Sequence, residues 1–253
     1  MKATIKKYSY SELIDQALNM KGSTSNTYNR FYNYSYMNRV LLYLQGVSEP
    51  VATYKKWQEL GRQVNKGSKA KFICRPVIYK DKETEEMEIK GFNYINCLFS
   101  YGETTGEDLP PVEIEAWNKD LALEKLQITL EEYASTSGNT QGYSFNKSYA
   151  INPMAKYPVK TTMHELSHIV AGHTTSKQIE HAGLAEFQAE ASAYILMHEL
   201  ELTDHFNASE SRSYIQNWLQ EMKPTDQDIK IVFKTVDTIL KAGRKEKPTD
   251  EQK

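Results

Sequence analysis

Residues 161–170 read TTMHELSHIV and residues 183–196 read GLAEFQAEASAYIL. In the first stretch His164 and His168 stand four apart. On a helix such a pair projects from one face with its Cβ atoms about 6 Å apart, so both imidazoles can reach a single Zn2+. Glu165 sits beside them, where a carboxylate can take the proton of a water activated by the metal. Two histidines are an incomplete site, because a catalytic zinc takes three protein ligands and keeps one position open. The second stretch offers the third. Phe187, Ala191, Tyr194 and Ile195 mark an apolar helical face, and Glu186 and Glu190 share a neighbouring face. Glu186 follows His168 by 18 positions, enough for a turn and a returning helix. It is the expected third ligand, with Glu190, Glu180, His181 and His173 as the alternatives. Glu190 is also placed to hydrogen-bond a ligand histidine and fix its tautomer. The longer pattern HExxHxxGxxH is not met, because HELSHIVAGH brings its third histidine one place early, at His173. His173 is therefore expected behind the ligands and not among them.

Outward from this centre, GYSFNKSYAINP (142–153) reads as a short strand or hairpin, and its segment Tyr143 to Tyr149 could align a peptide by strand addition. Helices are expected from about Asn118 to Tyr133 and from about Lys177 to Leu200, and the end of the chain, 243–253, reads as a disordered tail. Residues 102–112, GETTGEDLPPV, have the composition of a linker. The organisation expected is a domain over 1–104, a linker over 105–112 and a second domain over 113–242.

Charge divides along the same line. Residues 1–80 hold 14 Lys or Arg against 4 Asp or Glu, a balance of +10, in a chain whose total is −2. A domain of that charge suits a polyanion. It also contains nine tyrosines, two phenylalanines and one tryptophan interleaved with the cations, the mixture that stacks bases while holding phosphates. A capping-box pattern at Ser9 and Glu12 opens a helix, YNRFYNYSYMNRVLLYLQG (28–46) gives one or two more, and TYKKWQELG (53–61) another with Thr53 as its cap. KFICRPVIYK and GFNYINCLF then read as a hairpin around an acidic turn. The fold class expected is α+β in two domains. Cys74 and Cys97, without a CxxC partner, read as thiols of a reducing compartment, and no apolar run approaches the roughly 18 residues of a membrane span, so a cytoplasmic protein with no membrane partner is expected.

The stretches YSYMNRVLLYLQ and VATYKKWQELGRQVNKGSKAKFICRP resemble the N-terminal single-stranded DNA-binding domain of ArdC-type antirestriction proteins, carried by plasmids, integrative elements and phages. The family's RF, YS-x-x-N and W-x-x-L-G-R-x-V-x-K-G-x-K pieces correspond here to Arg30-Phe31, Tyr34-Ser35 with Asn38, and Trp57 through Lys69. The segment from GYSFN through HELSH to EFQAEASAYIL looks like the mostly helical zincin-type metallopeptidase domain, with a small sheet, that follows in that family and is shared with ImmA/IrrE-like peptidases. Relatives often carry a carboxylate where this chain has Gln188. The resemblance implies a protein that binds single-stranded DNA, double-stranded DNA being the variant. It also implies Zn2+ at His164, His168 and Glu186, Glu165 as general base, and a protein substrate. The DNA contacts implied are Arg30, Tyr34, Asn38, Arg39, Lys55, Lys56, Trp57, Arg62, Lys66, Lys69 and Lys71. The alternatives are an antirestriction protein whose zinc is only structural, or an ImmA-like peptidase acting on a regulatory protein.

Overall fold

The computed structural model describes residues 7–80, 87–110, 116–134, 140–175 and 182–245. The chain divides into two compact units, Met1–Ser9 with Thr24–Glu113, and Tyr10–Ser23 with Ile114–Lys253. Both helix and sheet are present in each, an α+β architecture.

In the first unit the helices Thr24–Tyr28 (α2), Tyr36–Leu44 (α3) and Tyr54–Glu59 (α4) accompany the antiparallel strands Val51–Thr53 (β1), Lys71–Lys80 (β3) and Met87–Ser100 (β4), in the order β1-β4-β3. Thr53 caps α4 through its side chain, which accepts from Lys56 N. The hairpin expected from the β-branched runs is β3 with β4, and its acidic turn, 81–86, lies outside the described residues. Tyr28, Tyr34, Leu42, Val47, Val51, Ile73 and Leu98 form one core cluster, and Ala52, Trp57 and Val64 form another.

A second, two-stranded ribbon joins Arg62–Val64 (β2) to Thr104–Gly106 (β5). The linker composition of 105–112 is thus misleading at its start. Thr104 and Thr105 are β-branched residues that pair with Val64 and Gln63. At Gly106 any Cβ would fall 2.3 Å from Gly61 O, so the ribbon closes only on glycine.

The second unit is built on Pro158–Ala171 (α6) and Ala182–Glu199 (α7), with Ala208–Met222 (α8), Asp226–Ala242 (α9) and the shorter Lys119–Leu126 (α5). α7 packs against α6, α8 and α9, which is why its apolar residues encircle it instead of forming one stripe: Phe187, Ala191, Tyr194, Ile195, Leu196 and Met197 are all buried. Each large apolar side chain buried there contributes roughly 1.5–3 kcal/mol. Thr129–Leu130 (β6), Gly142–Phe145 (β7) and Ser148–Ile151 (β8) make a sheet in the order β6-β8-β7, leaving β7 at an edge beside α6.

Two expectations change here. The helix predicted to reach Tyr133 stops at Gln127, which takes a left-handed conformation (φ 56), and the β-branched run behind it pairs as β6. The helix Tyr10–Asn19 (α1), predicted within the 1–104 domain, belongs to the second unit. Its stripe Leu13, Ile14, Ala17 and Leu18 is buried, it packs on α7 and α9, and Tyr194 Oη donates to Leu18 O at 3.3 Å. An amphipathic helix buries its stripe on whatever apolar surface receives it, and chain order does not choose that surface. Residues 176–181, including the alternatives Glu180 and His181, and the tail from 246 lie outside the described residues.

Candidate functional sites

α6 presents His164 and His168 one turn apart, with ring centroids 4.7 Å apart and Nε2 atoms 3.1 Å apart. α7 delivers Glu186, whose two carboxylate oxygens lie 3.4 Å from His164 Nε2 and 3.5 Å from His168 Nε2. One donor atom from each of the three falls within 4.8 Å of the others. They line a cleft of about 550 Å3 with Tyr143, Ser144 and Lys160. Glu165 is buried at the same cleft, and its Oε2 accepts a hydrogen bond from Ser144 Oγ on β7 at 2.7 Å. The structure therefore assembles the three expected ligand residues and the expected base in one place.

Behind them lie Glu190 and His173. Glu190 Oε2 is 3.0 Å from His164 Nδ1 and 2.5 Å from Lys160 Nζ, and Glu190 Oε1 accepts from Ser211 Oγ. His173 Nδ1 lies 2.9 Å from His168 Nδ1. Gly172 brings it there: its left-handed conformation (φ 88) ends α6 and folds the chain back, so that His173 N donates to His168 O at 3.0 Å. Lys160, four residues before His164 on the same helix face, was findable from spacing; Ser144 and Ser211 come from other elements and left no signal.

The electrostatics of this cluster follow from these contacts. Burial pulls the His164 pKa down, but hydrogen bonds to the Glu186 and Glu190 carboxylates outweigh it and raise it to about 9. Hydrogen bonds from His164 and His168 hold the Glu186 carboxyl far below its ordinary range. Burial would raise Glu190, yet His164 and Lys160 bring it down to about 2.

The expected DNA contacts separate into two groups. Five of them lie in the interior of the first unit. Trp57 is fully buried and its Nε1 donates to Phe99 O at 2.9 Å. Arg39 donates to Thr24 Oγ1 (3.1 Å) and Ser25 Oγ (2.5 Å), and Arg62 to Thr104 Oγ1 (2.8 Å) and Thr104 O (3.1 Å) while lying over the Tyr101 ring. Asn38 bridges to β3 by donating to Cys74 O and accepting from Cys74 N, and Tyr34 belongs to the core cluster. These side chains serve the interior, most of them by satisfying buried backbone and hydroxyl groups, and they present little surface to solvent. Lys56 and Lys71 are paired with Glu59 (3.3 Å) and Glu103 (2.6 Å), and Arg30 Nη2 donates to Pro110 O. Lys55, Lys66 and Lys69 are exposed, with no ion pair among the described residues. Lys66 shares a shallow cleft with Tyr54, Gln63, Asn65 and Phe99, and Tyr54, which motif reading did not single out, is 44% exposed.

No helix among the described residues is long and apolar enough to cross a membrane. No curated protein matches the chain. Residues 15–108 match the family model for the N-terminal domain of anti-restriction factor ArdC. Two crystal structures of the antirestriction protein ArdC from the R388 plasmid are similar over nearly the whole chain. The metal-free one is 19% identical with a TM-score of 0.51, covering 92% of this chain and 94% of its own. The Mn(II)-bound one is 17% identical with a TM-score of 0.55, covering 94% and 98%. Residues 15–108 accordingly carry a domain of the ArdC N-terminal family, and the chain as a whole shares the fold of the R388 ArdC structures.

Proposed function

We propose an antirestriction protein that binds single-stranded DNA through its first unit and carries a Zn2+ peptidase centre in its second. The observation that carries the metal half is the convergence of His164, His168 and Glu186 within 4.8 Å on one wall of an open cleft, with Glu165 buried beside them. Two imidazoles and a carboxylate are a donor set suited to Zn2+, and His164 is oriented through Nδ1 by Glu190, as ligand histidines are. The Mn(II) held by the similar R388 protein supports a divalent cation here. Bound there, the metal would polarise a peptide carbonyl and acidify a water. Glu165 would take the proton from the attacking water and return it to the leaving amine, Ser144 would hold the Glu165 carboxylate in place, and the β7 edge would align the peptide backbone. Metal analysis of the wild-type protein beside Glu186→Ala tests the centre: equal metal content in both removes Glu186 from it.

Metal and proton compete for His164, and the sign follows from its raised pKa. The stabilisation from the His164 imidazolium and its two carboxylates is complete below pH 6.5 and is lost as the pH rises through about 9. Metal requires the neutral ring. The rise in unfolding temperature on adding Zn2+ is therefore expected to grow from pH 6.5 toward 9, with proton release seen by calorimetry in buffers of different ionisation enthalpy. A Zn2+ increment that stays constant over that window would refute the assignment.

The DNA half rests on the ArdC N-terminal match and on exposed cations and an exposed aromatic of the first unit, Lys55, Lys66, Lys69 and Tyr54. Affinity of the full chain for a single-stranded oligonucleotide should fall with salt. The triple change of Lys55, Lys66 and Lys69 to Ala should flatten the slope of log K against log salt by about 2, each phosphate left without its lysine accounting for about 0.7. An unchanged slope in anisotropy titrations places the DNA elsewhere.

A further inference from the structure

Behind His168 a chain of hydrogen bonds crosses three helices. His168 Nδ1 is 2.9 Å from His173 Nδ1, His173 Nε2 is 2.7 Å from Gln188 Oε1, and Gln188 Nε2 donates to Asp228 Oδ1 at 2.8 Å. The direction of each bond is set from the far end. The Asp228 carboxylate only accepts, and its Oδ2 is already engaged by Thr225 N (2.7 Å) and Thr225 Oγ1 (2.6 Å) at the start of α9. Gln188 must then turn its NH2 group to Asp228 and its carbonyl oxygen to His173. That oxygen also only accepts, so His173 carries its proton on Nε2. One proton on Nε2 satisfies that contact, and Nδ1 keeps its lone pair toward His168 Nδ1. The proton in the 2.9 Å contact consequently belongs to His168 Nδ1.

We propose that Gln188 and Asp228 are positioning residues of the metal centre: with His173 they form a one-way relay that holds His168 as its Nδ1–H tautomer, the form whose Nε2 is free to ligate. The proposal rests on reading His164, His168 and Glu186 as the metal ligands. It explains why an amide stands at 188. A carboxylate there would set two acceptors 2.8 Å apart across the contact with Asp228. Asp228→Asn would reverse the relay: with its oxygen held by Thr225 N, its amide would donate to Gln188, whose own NH2 would turn to His173 and leave the hydrogen on His168 Nε2.

Two measurements on the full-length protein test it. In the metal-free wild type, long-range 1H–15N correlation of the histidine rings should show His168 protonated at Nδ1 and His173 at Nε2; a His173 protonated at Nδ1 alone overturns the relay. Zn2+ affinity, from competition with a chromophoric chelator, should fall about 10–100-fold in Asp228→Asn and in Gln188→Leu. Adding Gln188→Glu to Asp228→Asn supplies a carboxylate that accepts both from the new amide and from His173 Nε2 and restores the direction, so most of the lost affinity should return. Wild-type affinity in Asp228→Asn, or a double variant no tighter than that single one, refutes the proposal. A wild type with the expected tautomers but no Zn2+ binding would uphold the relay and sink the metal reading instead.

Discussion

Glu165→Gln is expected to keep its metal and lose peptide hydrolysis by about 10^2–10^4-fold, the range that a positioned acid–base group supplies. Gln is nearly the same shape and can still meet Ser144 Oγ, so the buried position tolerates it. What it cannot do is accept a proton from water. The measurement is turnover of a peptide library by mass spectrometry, wild type beside variant, with metal content determined on the same samples. Undiminished turnover would remove Glu165 from the reaction. If neither protein cleaves anything while both protect incoming DNA equally well, DNA binding is the activity and the metal serves the fold.

The second large effect falls on stability. Trp57→Ala removes a fully buried side chain whose indole donates to Phe99 O and whose ring meets Phe31 edge-on at 5.4 Å. Truncations of this kind cost about 3–5 kcal/mol, a large part of the roughly 5–15 kcal/mol that holds a typical domain together. Its DNA affinity should fall only by the fraction of protein unfolded. Tyr54→Ala should behave in the opposite way, since its ring is half exposed: little change in the denaturation midpoint, and a loss of about 1–3 kcal/mol in single-strand binding if a base stacks there. A Trp57→Ala protein as stable as wild type but unable to bind DNA would return Trp57 to the interface.

The contrast between these residues shows where sequence reading reached its limit. Trp57, Arg39 and Arg62 lie in a stretch of basic and aromatic residues that looks like a nucleic-acid surface, but composition cannot tell a cation that meets phosphate from one that meets a buried carbonyl. The Arg62 partners lie about 40 residues on in the chain, at Thr104 and Gly106, and the pairing exists only once β2 and β5 have met. Likewise the stripe of α1 was legible as apolar, while the surface that receives it was not.

The cluster proposed as a metal centre was legible because its geometry is local. His164, Glu165 and His168 are fixed on one helix by a period of 3.6 residues, and Glu186 and Glu190 by the same period on the next. The α+β class and the β3–β4 hairpin followed equally from short-range pattern. The tertiary structure alone decided which carboxylate oxygens face which imidazole nitrogens, that Ser144 and Ser211 serve the two glutamates, and that Asp228 is coupled through Gln188 to His173. These contacts join residues 15–40 positions apart, on separate elements, and no periodicity of the chain records which elements will pack together.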